Sequence, residues 1–478
     1  MCEIVKQQAI DWITNNKDLI INTHNAIWDY AELRLKEYKS AQLLIDILEK
    51  YAFTIEPGIA GIPTAFVATY GTGHPVIGVI GEYDALPGLS QKAVPWKEPL
   101  IEGAPGHGCG HVAYSTSALG GILATKRVME ANNIHGTIKY FGCPAEETLV
   151  GKVFMLREGC FDGVDVFLGH HPGQVNSAIL RSLNALNSVK FEFHGVSSHA
   201  ASSPEQGRSA LDAVELMNIG VNFLREHIVQ EARIHYIIDD GGTIPNVVPD
   251  YARVWYYIRA PTRELVNMIY DRILGIADGA DLMVGTTHNV IFLTGVHETI
   301  PNRTLAELAV MNMRKIGPPT YTKDELEFAR VMGETIDPEQ KKAVLHRSGL
   351  PNWMDLMNID LDTQIHPPFG DGMRGGGSSD IAEVSWNAPT QEFSTGMFVI
   401  GAPGHSWQNV AIGGTSIGHK ISIFASKVFA TTILDILMNP DVLKNIKKEW
   451  EERMMNKVYV SPIPKDIKLP NDDGLPNQ

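Results

Sequence analysis

Pro75-Val76-Ile77-Gly78-Val79-Ile80, followed by Gly81-Glu82-Tyr83-Asp84-Ala85-Leu86-Pro87, is the stretch that decides the fold class. A short run of mostly β-branched residues without polar alternation reads as a strand buried on both faces. Thr137 to Phe141, Val164 to Leu168 and Met397 to Ile400 have the same texture. Between the first two strands, Val112 to Met129 reads as a long helix. Upstream, Ser40 to Tyr51 is amphipathic, with Leu44, Ile47, Leu48 and Tyr51 at helical spacing. Strand–helix alternation of this kind predicts an α/β domain with a largely parallel sheet.

The middle of the chain is different. Ser188 to Phe193 alternates polar and apolar, as a one-sided strand should. Helix Ala210 to His227, strands Arg233 to Ile238 and Ala252 to Ile258, helix Thr262 to Ala277 and strand Asn289 to Leu293 follow. This β-α-β-β-α-β order predicts a ferredoxin-like α+β domain at residues 186–298, inserted between catalytic parts at 1–185 and 299–478. Pro318 to Gly372, rich in Pro, Asp and Met with weak periodicity, reads as an elaborated insertion.

The 478 residues carry 40 Lys and Arg against 55 Asp and Glu, a net charge of -15. No basic block offsets it, which argues against a nucleic-acid partner. Met1 to Asn16 lacks the apolar core of a signal peptide, and no apolar run is expected to reach the length of a membrane span. The four cysteines, Cys2, Cys109, Cys143 and Cys160, form no disulfide framework, and a cytoplasmic location is expected, with no membrane partner.

Polar residues with metal-binding or proton-transfer chemistry fall just beyond the predicted strands. Asp84 follows the first and Cys143-Pro144-Ala145-Glu146-Glu147 the second; His170 and His171 follow the third, and His405 the fourth through Gly401-Ala402-Pro403-Gly404. In an open α/β sheet, ligands bind in the crevice at the carboxyl ends of the strands. Two adjacent carboxylates repel unless a cation or proton intervenes, and a two-metal hydrolase can split them into a ligand and a free base. Gly106-His107-Gly108-Cys109-Gly110-His111 adds a thiol and two imidazoles in a glycine-rich turn, a donor set suited to a transition metal.

Taken together, Gly-His-Gly-Cys-Gly-His, Pro-Ala-Glu-Glu, His171-Pro172, Gly404-His405-Ser406-Trp407-Gln408 and Gly413 to Lys420 resemble the M20 family of metallopeptidases and amidohydrolases. They look most like its branch of aminoacylases, hippurate hydrolases and indole-acetyl-amino-acid hydrolases. The resemblance covers nearly the whole chain. It implies a zinc-peptidase-like catalytic domain with a mostly parallel sheet, and makes the inserted ferredoxin-like domain a lid or dimerisation domain.

It also implies two divalent metal ions, Mn2+ or Zn2+. Cys109 would bridge them, His111 and His171 would complete one site, and Glu147 and His405 the other. His171 is chosen over His170 by its six-residue distance from Asp165 and its place before Pro172. Glu146 would be the general base and acid. Asp84 would orient a metal-binding imidazole, and His107 would support the site without ligating. In the inserted domain, His199 in Gly195-Val196-Ser197-Ser198-His199-Ala200 would hold the oxyanion, usually across a dimer interface. Asn246 and Arg259 would bind the carboxylate of the substrate's amino-acid part, for which a planar guanidinium fork is suited. The branch's usual Met-Gly-Ser-Glu-Asp-Phe segment stands here as Gly377-Ser378-Ser379-Asp380-Ile381.

The implied reaction is metal-assisted hydrolysis of the amide bond of an N-acyl or N-aroyl amino acid, p-aminobenzoyl-glutamate among them. The implied assembly is a homodimer or a heteromer with a paralogous chain. Three other readings stand beside it: a metal-dependent dipeptidase, a metal-binding or regulatory subunit without turnover, and a Cys109 nucleophile activated by His111 or His107.

Overall fold

The computed structural model describes residues 2–455 and 457–470, which contacts divide into two compact units. The first comprises the chain through Ser182, Ile300–Met373 and Val384–Tyr459; the second comprises Leu183–Thr299, Arg374–Glu383 and the residues from Val460.

The first unit is built on a six-stranded sheet formed by β1 (Thr54–Pro57), β2 (Phe66–Thr72), β3 (Val76–Glu82), β4 (Gly136–Cys143), β5 (Val166–Gly173) and β10 (Thr390–Gly396). Their order is β1-β2-β4-β3-β5-β10. β4, β3, β5 and β10 run parallel, while β1 and β2 pair antiparallel at one edge. Ile77, Val79, Ile80, Ile138 and Leu168 are buried, as central parallel strands covered on both faces require. Helix His111–Asn132 packs against helix Ser416–Met438, and the approach is close: a Cβ on Gly121 would lie 2.4 Å from Phe429 Cβ.

Two expectations are corrected here. Met397–Ile400 is not a strand; β10 is the polar segment Thr390–Gly396 just before it. Three of its polar side chains have partners: Gln391 donates to the Ile179 carbonyl, Glu392 accepts from the Tyr114 hydroxyl, and Thr395 bonds His170. Met397 and Phe398 instead donate their N–H groups to the Gly173 carbonyl, both at 2.9 Å, and pack as a buried apolar loop. Helix Ser416–Met438 is long and apolar enough to cross a membrane, contrary to the expectation that no run would be, but 78% of its apolar window is buried inside the protein. Its apolarity matches its position in the core.

The Pro318–Gly372 stretch carries helices Lys323–Gly333 and Pro338–Arg347 and a 3-10 turn, Trp353–Asn358. Thr322 and Glu325 close a capping box on the first, and Asp337 caps the second with Pro338 at its first position.

The second unit contains an antiparallel sheet of β6 (Ala185–His194), β7 (Arg233–Asp240), β8 (Tyr251–Ala260) and β9 (Thr287–Val296), in the order β7-β8-β6-β9. β8 alternates strictly between half-buried and buried positions. Helices Ala210–Leu224 and Arg263–Val284 bury Val214, Met217, Val266 and Ile273 in the core this sheet shares. Such a split β-α-β arrangement is ferredoxin-like.

Candidate metal centre

Chain reversals in the first unit bring distant donors together at the carboxyl ends of its parallel strands. Gly110 precedes helix His111–Asn132 at φ +82, and a Cβ there would sit 2.9 Å from both Met397 Cε and Phe398 Cζ. Glycine is required on both counts. At the end of β4, Ala145 takes φ +57 and leads into the turn Glu146–Thr148. Buried Glu37 holds that turn by accepting the Ala145 N–H at 2.9 Å, while its other oxygen accepts from Thr64. His405 also stands at positive φ, +54, a backbone state that persists only where its surroundings enforce it.

The result is two sets of donors sharing one sulfur. Ligand atoms of Cys109, His111 and His171 lie within 4.8 Å of one another, and so do those of Cys109, Glu147 and His405. Cys109 Sγ is 3.4 Å from His171 Nε2, and His405 Nε2 is 3.4 Å from Glu147 Oε2. His405 is 54% exposed at its side chain while Glu147 is 8% exposed, so the centre opens on the His405 side. A cavity of about 370 Å³, bounded by Leu89, Gln91, Pro403, His405 and Trp407, adjoins that opening.

Asp84 ties the two halves together. Its Oδ1 accepts from His111 Nδ1 at 2.9 Å, and its Oδ2 accepts from the Glu147 N–H at 2.9 Å. That bond directs His111 Nε2 inward as the ring's other donor atom, the arrangement usual for a metal-binding imidazole. His111 Nε2 and Glu147 Oε1 are buried without a hydrogen-bond partner among the described residues. Two such atoms, with a soft thiol and borderline imidazoles, fit divalent transition-metal ions.

The electrostatics are consistent with this donor set. Against the opposing effect of burial, His171 and His111 hold the Cys109 thiol well below its ordinary range. Burial, and then the Cys109 charge, push Glu147 up. Glu146, buried beside Glu82, is raised to about 7, with Lys152 and His111 pulling the other way. A carboxyl near neutrality can both accept and return a proton at physiological pH.

Several neighbours were not singled out from the sequence. Glu82, at the end of β3, lies 3.3 Å from His111 Nε2 and is paired at 2.6 Å with Lys152, whose side chain is fully buried. Glu82, His111 and Glu146 also approach one another within 4.8 Å, but there Lys152 already supplies the cation. Glu82 stands two residues before Asp84, the strand spacing that shares a face, and that spacing is the signal for it. Lys152 offers no such signal, because its partner is distant in sequence.

The remaining candidates divide cleanly. His107 donates from Nε2 to the Ile27 carbonyl at 2.9 Å and joins neither of the sets that share Cys109. His170 is buried between Ser117 and Thr395, 2.8 Å from each hydroxyl, and stacks on Phe393. In the second unit, His199 Nδ1 accepts from the N–H groups of Ala201 and Ser202, and the Ala200 N–H donates to the Asn246 carbonyl at 3.0 Å. Arg259 stacks over Tyr257 and donates to Ser378 Oγ at 3.1 Å, so the variant Gly377–Ile381 segment touches the guanidinium.

Comparison with known proteins matches residues 78–409 to the model of peptidase family M20/M25/M40. The chain is 37% identical over 470 residues to one of the subunits of the p-aminobenzoyl-glutamate hydrolase of Escherichia coli (strain K12), covering 96% of this chain and 97% of that protein. It is 26% identical to the Xaa-Arg dipeptidase of Mus musculus, with 95% of each chain covered. Among solved structures, a dinuclear metal-binding M20-family peptidase from Bacillus subtilis superposes with a TM-score of 0.56 at 16% identity, covering 89% of this chain and 99% of that one.

Proposed function

The chain belongs to peptidase family M20/M25/M40, and from that premise we propose that it is a dinuclear metal-dependent amidohydrolase acting on N-acyl or N-aroyl amino acids, p-aminobenzoyl-glutamate first among them. The observation that supports this most is the pair of donor sets sharing Cys109, with Glu146 beside them. Cys109, His111 and His171 would hold one ion, and Cys109, Glu147 and His405 the other. Manganese or zinc at these positions would supply a Lewis acid that polarises the amide and acidifies water.

The chain's own residues carry the rest. Asp84 fixes the His111 ring and the Glu147 backbone through its two oxygens. Glu146 accepts the proton of the attacking water at its carboxylate and returns it to the leaving amine nitrogen. Lys152 pairs with Glu82 and favours the ionised form of Glu146, partly offsetting burial and the Glu82 charge, which raise it. His199 would donate to the developing oxyanion, and Arg259 with Asn246 would hold the substrate carboxylate. The ferredoxin-like unit would then serve as lid and dimerisation surface, between like chains or with a paralogous one. A cytoplasmic location is part of this reading, resting on the few, unframed cysteines of the sequence.

The likeness to an Xaa-Arg dipeptidase favours dipeptide hydrolysis as a second reading. One screen separates them: purified, metal-analysed chain is offered p-aminobenzoyl-glutamate, other N-acyl amino acids and Xaa-Arg dipeptides. Turnover should disappear with metal removal and return with manganese or zinc. Turnover that survives complete removal would instead favour Cys109 as a nucleophile.

A further inference from the structure

A second cavity in the first unit, of about 370 Å³, lies beside β5 and β10, between the Val175–Arg181 segment and the Pro338–Arg347 helix. That volume is in the range of small-molecule sites. Val175, Ile179, Leu345, Leu350 and Phe369 give it an apolar side. Among the described residues, no acidic side chain lines it.

Besides Gln174, Arg347, Ser348 and Ser394, the polar part of the lining includes Arg181. Its stem lies against Gly370, where φ is +84 and a Cβ would come within 2.6 Å of Arg181 Cγ. Its Nη1 donates to the Arg347 carbonyl at 3.2 Å, and no carboxylate pairs with it among the described residues. The guanidinium is thus held at both ends and left without a counter-ion. Burial alone lowers its pKa, with no anion offsetting the effect. A half-buried guanidinium without a protein counter-ion can take a carboxylate from solution on its free N–H groups. Gln174 cannot serve a ligand here, because its amide is spent on the Gly401 N–H and the Ala402 carbonyl. Ser394 also lines the cavity, and in the β5–β10 register it pairs with His171.

We propose that this cavity is a binding site for an organic monoanion, with the carboxylate forked on Arg181 and an apolar, ring-sized body against Ile179, Leu345 and Phe369. The site is distinct from the donor sets at Cys109 but shares a strand pair with them. An occupant would therefore contact the strands that carry His171, and Gln174 links the cavity's rim to the loop that carries His405.

The test is calorimetric titration of the full metal-loaded chain with benzoate, with benzamide as the uncharged isostere. Benzoate should bind, and benzamide should bind about tenfold more weakly, the scale of one charge-assisted hydrogen bond. Arg181→Met should weaken benzoate by at least that factor, and Val344→Trp should block it by filling space with the charge retained. Glu146→Gln and metal stripping should leave it unchanged. Absence of benzoate binding, equal binding of benzamide, or loss on metal stripping would overturn the assignment. If Arg181→Met does not fold, Val344→Trp decides: unchanged binding in that variant overturns it as well.

Discussion

Replacing Lys152 by Met removes a buried cation that pairs with Glu82 and acts on Glu146. Lys152 and Glu82 are both essentially inaccessible and lie 2.6 Å apart, and Glu82 is also 3.3 Å from His111. Removing one partner of a buried ion pair leaves the other charge uncompensated, at a cost of about 3–5 kcal/mol. Denaturant slopes grow with the surface exposed on unfolding, so for a unit of this size the loss lowers the urea midpoint by on the order of 1 M. The double variant Lys152→Met with Glu82→Gln removes both charges and should recover much of that loss, giving a coupling of at least about 1 kcal/mol. Urea unfolding followed by circular dichroism, on metal-stripped protein, measures all four corners of the cycle. A Lys152→Met midpoint within about 0.2 M of the parent, or strict additivity in the double variant, would refute the pairing.

Other consequences are as direct. His24, buried between Ser422 and the Gly413 carbonyl, has its pKa lowered to about 3, chiefly by burial. It therefore contributes stability above the ordinary histidine value of 6.5 that is lost as pH falls toward 3, with a slope near 1.4 kcal/mol per pH unit for the one proton. Stability measured against pH should fall less steeply there in His24→Gln. Gly110→Ala forces a Cβ into Met397 and Phe398 at positive φ and should cost more than about 1–2 kcal/mol, seen as a lowered melting temperature together with lost metal. Glu37→Ala frees the Ala145 N–H, and should lower kcat by about tenfold or more through displacement of Glu146, with Glu37→Gln milder because it keeps an acceptor. Equal losses in the two variants would deny Glu37 a positioning role.

Much of the architecture could be read from local patterns, because buried parallel strands and one-sided antiparallel strands differ in periodicity, as β3 and β8 do. Glu147 and His171 could be read because they stand at strand ends, and Cys109, His111 and His405 because glycine-rich turns mark them. What escaped depended on partners far away in sequence. In the buried strand Thr390–Gly396, Ile179, Tyr114 and His170 satisfy three of the polar side chains. The adjacent Met397–Ile400 has strand-like composition but packs as a loop. Lys152 looks like any lysine on a short helix until Glu82 is set beside it. Spacing and resemblance select His171 over His170; the structure adds that adjacent strand residues face opposite ways, sending His170 to Ser117 and His171 to Cys109.

Cys109 belongs to both of the donor sets proposed for metal, while Glu146 belongs to neither. Elemental analysis of metal content per chain tests this division of roles most directly, comparing the parent with Cys109→Ala, His111→Ala and Glu146→Gln. Two ions in the parent, nearly none in Cys109→Ala, loss of chiefly one in His111→Ala and full occupancy in an inactive Glu146→Gln are the expected results. Two ions retained in Cys109→Ala, or metal lost from Glu146→Gln, would contradict it.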